Sequence, residues 1–217
     1  MKDHTNKVEL IGIYGDDTSH ALSAWTSTSR DLNDEKRARI PKLLKMLAEN
    51  SHGTPFEKSS LHFLITSEVA SHTHLLKHRI SSLNAESARY KELKDDKFYV
   101  PQDWSHDEQL RMIAHCEEGL TKYHECLARL VADGVPRARA KESARFYLPY
   151  ANQITADVMF NFRSFMNFVT LRYSEHAQLE IRLIAKQMLA LIFETGKFNY
   201  SLDAFGWTKE KIFGADK

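Results

Sequence analysis

Two stretches of the chain have the short, apolar-rich pattern that is typical of β-strands. Residues 8–14 form the first stretch, which ends at the turn residues beginning with Gly15. In the second stretch Leu61, Phe63 and Ile65 recur at every second position. Both stretches are therefore predicted to be strands.

Helices are predicted where apolar residues recur three and four positions apart, between residues that start and stop helices. Asn33 can cap one helix, and Pro41 can open a second piece of it. Ser105 to Glu108 forms a capping box for a long helix that Gly134 closes. Further predicted helices cover residues 20–27, 68–77, 137–148, 154–172 and 176–195. Helices with a few strands predict an α+β fold, in one domain of residues 1–217 with a peripheral tail from about residue 200.

Composition narrows the class of protein. The 217 residues are 42% hydrophobic and 27% charged with a net charge of +1, which argues against a dedicated nucleic-acid binder. No apolar segment approaches the ~20 residues that span a bilayer, and no signal peptide is evident. Cys116 and Cys126 fall in one predicted helix, so no disulfide framework is expected. None of His4, His20, His106 and His115 pairs with a carboxylate at a spacing typical of zinc sites. We therefore expect a cytoplasmic protein without a membrane partner, a nucleic-acid partner or a metal.

The stretch from Lys77 to Tyr90, KHRISSLNAESARY, is too polar for a core and rich in specific chemistry. This polar motif combines fixed positive charge at Lys77, Arg79 and Arg89 with serine and asparagine side chains that can donate hydrogen bonds. Arginine forks match pairs of phosphate oxygens. The motif thus favours a nucleotide ligand, although a solvated surface loop would have the same composition.

The predicted helix over residues 157–172 carries a second unusual set. One side is apolar, whereas the rest holds Asn161, Arg163, Asn167 and Arg172 in place of the usual lysines and glutamates. Such groups next to aromatic residues suit stacking on and hydrogen bonding to a planar ring. A helix at a subunit interface is the alternative interpretation.

Together these motifs resemble the flavin-dependent thymidylate synthases. This chain matches their Arg-His-Arg signature except that Lys77 replaces the first arginine. Supporting segments follow in the family's order, and the resemblance runs from the first strand to about Ile192. The matching signature positions are His78, Arg79, Ser82, Asn84, Ser87 and Arg89. The supporting segments are His52–Glu57, Ala144–Arg145 before Leu148–Pro149, Asn161–Ser164, Asn167, Leu171–Arg172 and His176–Glu180.

This resemblance implies a small mixed sheet flanked by long helices, in a homotetramer whose subunits share active sites. It also implies the methylation of dUMP to dTMP, with methylenetetrahydrofolate as carbon donor and NADPH as reductant of a bound FAD. The chain has no Gly-x-Gly-x-x-Gly turn, so FAD is not expected on a Rossmann unit.

By the same resemblance, individual positions receive roles. FAD contacts are expected from Ser27, His52, Thr54, Lys77, His78, Arg79, Asn161, Arg163, Asn167 and Leu171. The dUMP contacts are expected from His74, Ser87, Arg89, Arg145 and Arg172. Arg172 and Ser87 are assigned to catalysis. Arg172 would stabilise the negative charge that builds on the uracil ring. Ser87 would contact the ligand through its hydroxyl and not act as a nucleophile.

Several positions depart from the family's pattern. Lys77 replaces an arginine, and His74 stands where glutamine is common. Ala85 occupies the position of a glutamate, and the adjacent Glu86 is not expected to take over its role because neighbouring side chains in an extended loop point apart. The alternatives are a related flavoenzyme that acts on another pyrimidine nucleotide or makes a hydroxymethyl product, and a non-catalytic nucleotide-binding helical protein.

Overall fold

A computed structural model describes residues 4–87, 92 and 97–214 of the chain. The strands are β1 (Lys7–Tyr14), β2 (Ser60–Glu68), β3 (Ser82–Ala85) and β4 (Gln153–Phe160). The helices are α1 (Asp17–Trp25), α2 (Asp34–Glu49), α3 (Val69–Leu75), α4 (His106–Ala132), α5 (Arg137–Ala144), α6 (Phe162–Arg172), α7 (Leu179–Glu194), α8 (Asn199–Ala204) and α9 (Lys209–Phe213). Short 3-10 turns cover Thr54–Glu57 and Arg145–Tyr147.

The strands form a four-stranded antiparallel sheet in the order β1-β2-β4-β3. Along β2 the partner numbers fall as the residue numbers rise, because His62 contacts Asp157 whereas Thr66 contacts Thr155 at 3.0 Å. This ordering is the signature of antiparallel pairing. The predicted α+β class is confirmed, and the sheet is antiparallel rather than mixed.

The segment before α6 is a strand, so the predicted helix over residues 154–172 is wrong in its first half. From Ala156 to Phe160 buried and exposed residues alternate, which is the period of a strand. Asn161 then caps α6, and its side chain accepts the backbone N–H of Ser164 at 2.8 Å. Val158 fits the apolar spacing of α6 as well as the alternation of β4, and this coincidence produced the error.

The other predicted helices are present, and α2 differs in one respect. Asn33 caps α2 as predicted, but Pro41 lies inside this helix instead of opening a second piece. Ser105 caps α4, whose end is followed by Gly134 with φ of +83°. That backbone conformation is strained for residues with a side chain, which explains glycine at the stop.

The contacts between residues divide the chain into two compact units. That the chain forms a single domain stays a prediction. Unit 1 consists of residues 1–7, 65–77 and 84–156, and unit 2 of residues 8–64, 78–83 and 157–217. In unit 1, helices α4 and α5 pack through Tyr123, Leu127, Ala140 and Ala144. A second cluster joins the earlier part of α4 to the segments around Phe98 and Ala151.

Unit 2 has an aromatic core. Rings of Phe56, Phe162 and Phe198 pack around the buried His20, and α7 contributes buried aliphatic side chains against α6. Ser201 and Leu202 of α8 are also fully buried. The segment after residue 200 is therefore packed into unit 2, in contrast to the peripheral tail expected from the sequence.

A buried polar network connects α1 to this C-terminal segment. The ring nitrogens of His20 lie 2.9 Å from the hydroxyls of Ser201 and Ser59, and Ser201 donates to the Asp17 carboxylate at 2.5 Å. Burial lowers the pKa of His20 to about 4 and raises the pKa of Asp17. His20 is consequently a neutral hydrogen-bonding residue at ordinary pH.

Candidate functional site

Four of the predicted FAD positions line one cleft in unit 2. The cleft has a volume of about 790 Å³ and is bordered by the end of α1, the inner side of α2, the loop that begins at Ser51, and the start of α6. Ser27, His52, Thr54 and Arg163 all lie on its wall. Its apolar side is formed by Trp25, Leu43, Met46 and Leu47. This size and mixture of apolar walls with a few polar groups are typical of small-molecule and cofactor sites.

Arg163 lies directly against the backbone of Gly53 at the edge of this cleft. A Cβ atom at position 53 would be 2.5 Å from the Arg163 Nε, closer than real side chains approach. The guanidinium also donates to the Glu57 carboxylate at 2.7 Å. A side chain at position 53 would therefore force Arg163 to move out of the space that it occupies.

Helix α6 and its N-cap position four more of the predicted site residues. Asn161 uses its carboxamide oxygen to cap the helix, so it lies at the helix start and not inside the longer helix that the sequence predicted. Asn167 and Leu171 are exposed. Arg172 is the last residue of the helix and is half-buried.

Arg172 contacts a residue of the polar motif. Its Nε donates to the His78 Nε2 at 2.9 Å, and the His78 ring packs edge-on against Phe168 with ring centroids 4.9 Å apart. The structure thus brings together two predicted site residues that are 94 positions apart in the sequence.

The polar motif is a strand in its middle section and not wholly an irregular loop. Residues 82–85 form β3, and Arg79 before it is exposed. Glu86 exchanges two hydrogen bonds with Thr155: its backbone N–H donates to the carbonyl at 2.8 Å, and its carboxylate accepts the Thr155 N–H at 2.9 Å. These bonds support the expectation that Glu86 does not replace a glutamate at position 85.

The predicted ligand-binding positions of unit 1, one for FAD and the others for dUMP, lie on separate elements. His74 is half-buried in α3, and Lys77 is exposed two residues after this helix. Ser87 is half-buried just after β3, and Arg145 is exposed at the start of the second 3-10 turn. Arg89 lies outside the described residues.

Sequence reasoning gave no role to three residues that the structure places at the site. Glu57 binds Arg163, Gly53 leaves the space that Arg163 occupies, and Phe168 packs against His78. Glu57 and Gly53 were part of a motif noted in the sequence, but nothing in their spacing reveals a partner more than 100 positions away. Phe168 lies four positions before Arg172, which places both on one side of a helix.

Other kinds of site receive no support from the described residues. Cys116 is buried in α4, and this burial raises the pKa of its thiol to about 11, so the thiol is un-ionised at neutral pH. Within residues 4–87, 92 and 97–214, His, Cys, Asp and Glu side chains do not form a group of three that could hold a metal ion. Among these same residues, each helix is too short or too polar to cross a membrane.

Comparison with known proteins places this geometry in a family. The profile of the family described as "Thymidylate synthase complementing protein" matches residues 9–195. A flavin-dependent thymidylate synthase of Pseudothermotoga lettingae is 35% identical over 185 residues, covering 82% of this chain and 80% of the relative. The corresponding protein of Kosmotoga olearia is 32% identical over 196 residues, covering 82% and 81%.

A solved structure gives the same result in three dimensions. The UMP/dUMP methylase PolB from Streptomyces cacaoi, crystallised with 5-Br dUMP, superimposes with a TM-score of 0.78 at 28% identity, covering 94% of this chain and 95% of that chain. The family profile spans most of the chain, and two relatives exceed 30% identity over four fifths of it. This chain therefore belongs to the flavin-dependent thymidylate synthases.

Proposed function

We propose that this enzyme methylates dUMP to dTMP, with methylenetetrahydrofolate as carbon donor, NADPH as reductant and FAD as the flavin. The observation that carries the proposal is the unit 2 cleft, on which Ser27, His52, Thr54 and Arg163 converge in a chain of this family.

The chemistry of the cleft fits FAD. Hydroxyls of Ser27 and Thr54 can hydrogen-bond to ribose and phosphate oxygens. Arg163 is paired with Glu57 through one terminal nitrogen and has further N–H donors that can bind the diphosphate. Trp25 and Met46 offer apolar surface to a planar ring. When bound, the flavin supplies the hydride.

Different arginines would bind different parts of the nucleotide. We assign Arg145 and Arg89 to the phosphate, because a guanidinium can form two parallel bonds to phosphate oxygens. We assign Arg172 to the uracil ring, where its charge stabilises the anion that forms as carbon five becomes nucleophilic. Ser87 contributes a hydroxyl contact to the same ligand.

A homotetramer with shared active sites is part of the proposal. Predicted ligands such as Arg79 and Arg145 are exposed, and large apolar side chains lie next to them in sequence, with Ile80 at 75% and Phe146 at 82% exposure. Exposed apolar residues of this size suggest surfaces that an assembly covers. Light scattering with FAD present tests this point, and a monomer would contradict it. A cytoplasmic location accompanies the proposal, since both cysteines are free thiols.

A second candidate function is activity on UMP as well as dUMP. The structural neighbour is named a UMP/dUMP methylase and was also crystallised with 5-Br UMP, at a TM-score of 0.77 and 26% identity. Glu86 is hydrogen-bonded to Thr155, and the small Ala85 stands where the family has a glutamate near the nucleotide, so the nucleotide contacts can differ from those of the family here. We retain dUMP as the preferred substrate.

The decisive experiment has two steps. Apo-protein is titrated with FAD by flavin fluorescence, and the reduction of the bound flavin by NADPH is followed by bleaching of its visible spectrum. No FAD binding at tens of micromolar would reject the enzyme assignment. Calorimetry of the FAD-loaded protein then compares dUMP, UMP and dCMP, and a preference for UMP or dCMP would favour the related activity.

Variants test the assignments to the nucleotide. Losing a hydrogen bond to a charged group costs about 1.5–3 kcal/mol, so Arg89→Ala or Arg172→Ala should weaken dUMP binding at least about tenfold. Glu86→Ala should cost clearly less. A loss for Glu86→Ala as large as that for Arg172→Ala would contradict these assignments.

A further inference from the structure

Arg172 is held at one edge by an uncharged acceptor. Its Nε donates to the His78 Nε2 at 2.9 Å. A nitrogen that accepts a hydrogen bond carries no proton, so His78 is in the neutral form with its proton on Nδ1. This contact uses only Nε, and the two terminal nitrogens of Arg172 carry four further N–H donors.

The orientation of the His78 ring is set by α6 itself. Phe168 is fully buried and meets the His78 ring edge-on, with an interplanar angle of 77°. Phe168 and Arg172 are four positions apart and thus neighbours on one side of the helix. His78 lies against both, so the packing that fixes the ring also aims its Nε2 at Arg172.

We propose that His78 is a positioning residue that orients Arg172 without neutralising its charge. Proteins commonly hold arginine with a carboxylate, as Glu57 holds Arg163 in the same unit. A carboxylate next to Arg172 would cancel the positive charge that the proposed reaction needs at the uracil ring. Neutral imidazole supplies the geometry of a charge-assisted hydrogen bond and leaves the full charge to the substrate.

This inference rests on the proposed function, because it assigns the Arg172 charge to dUMP. It gives His78 a role beyond contact with the flavin. The two roles make different predictions: a flavin ligand changes the affinity for FAD, whereas a positioning residue changes the affinity for dUMP when FAD is already saturating.

A double-mutant cycle separates these roles. With FAD saturating, dUMP affinity is measured by calorimetry for the wild type, His78→Leu, Arg172→Ala and the double variant, with FAD affinity measured separately for each. We expect His78→Leu to weaken dUMP binding about tenfold or more, and to cost less than about twofold once Arg172 is already removed. Where binding to Arg172→Ala is too weak for calorimetry, the cycle is read from kcat/KM.

Two further substitutions test the need for a neutral acceptor. The amide oxygen of His78→Gln can accept from Nε, so this variant should remain within about threefold of the wild type. His78→Glu also offers an acceptor but adds a negative charge, and its dUMP affinity should fall as far as that of His78→Leu. His106→Leu, at an exposed histidine of α4, is the matched control and should bind dUMP as the wild type does.

The outcomes decide the proposal. Equal losses for His78→Leu in the presence and absence of Arg172, or losses confined to FAD affinity, would overturn the positioning role. Wild-type affinity in His78→Glu would overturn the requirement for a neutral acceptor. Failure of the FAD-loaded wild type to bind dUMP would instead reject the proposed function. Circular dichroism of each variant identifies any that do not fold.

Discussion

The buried His20 should make the stability of the protein fall in mild acid. The ordinary pKa of histidine is 6.5, and burial lowers that of His20 to about 4. Between these values the unfolded chain holds a proton that the folded protein does not. The free energy of unfolding therefore rises with pH in this window, and stability is lost as the pH falls from 6.5 towards 4.

The size of the loss follows from the two pKa values. One pH unit between them corresponds to about 1.36 kcal/mol. A folded pKa of about 4 thus predicts a loss of about 2 kcal/mol at pH 5, and about 3 kcal/mol below pH 4. For a protein of this length the loss at pH 5 corresponds to a decrease in Tm of about 4–8 °C.

Other buried groups require a comparison between variants. The pKa of His72 is also lowered by burial and adds a slope of the same sign. The raised pKa of Asp17 acts in the opposite direction, since the folded protein binds a proton there more readily than the unfolded chain does. Asp17 affects the free energy of unfolding only at pH values between 3.8, its ordinary pKa, and its raised pKa in the folded protein. Subtracting the behaviour of His20→Gln from that of the wild type isolates the effect of His20.

The assay is urea unfolding at pH 7, 6 and 5. The wild type should lose about 2 kcal/mol more than His20→Gln between pH 7 and 5, although the variant starts from a lower stability because its contacts with Ser59 and Ser201 are altered. His106→Gln, at an exposed position, should follow the wild type. Equal pH dependence in the wild type and His20→Gln would refute the argument that His20 is buried in its neutral form.

Three further predictions concern the cleft, a helix cap and the cysteines. Gly53→Ala should displace Arg163, whose Nε would be 2.5 Å from the added Cβ. The loss of one charged contact should weaken FAD binding about tenfold, as measured by flavin fluorescence. An unchanged affinity for FAD would contradict the role of Arg163. Asn161→Ala removes the cap of α6 and should lower the free energy of unfolding by about 1 kcal/mol in urea, so an unaltered midpoint would count against it. The double variant Cys116→Ala and Cys126→Ala should keep dUMP-dependent turnover, because burial raises the pKa of the Cys116 thiol to about 11. Complete loss of turnover in a folded, FAD-bound variant would show that a cysteine takes part in catalysis.

Local signals in the sequence predict much of the fold. The alternation in β2 and the caps Asn33 and Ser105 are confirmed, because each depends on residues only a few positions apart. The prediction failed over β4, where Val158 suits a helix and a strand equally well. Pairing with β2 and β3 decided that segment, and a pairing between distant strands leaves no mark in a local window.

The same division applies to the candidate site. The sequence by itself determined the family, since the ordered arginines, histidines, asparagines and hydroxyl residues match the family's motifs. Their roles as ligands stay predictions. Only the tertiary structure decided which of them meet: Arg163 lies over Gly53 with Glu57 as its partner, and His78 holds Arg172 from 94 positions away. The reason is physical, because the type of each side chain is a property of the chain, whereas a contact at 2.9 Å depends on how distant helices and loops pack.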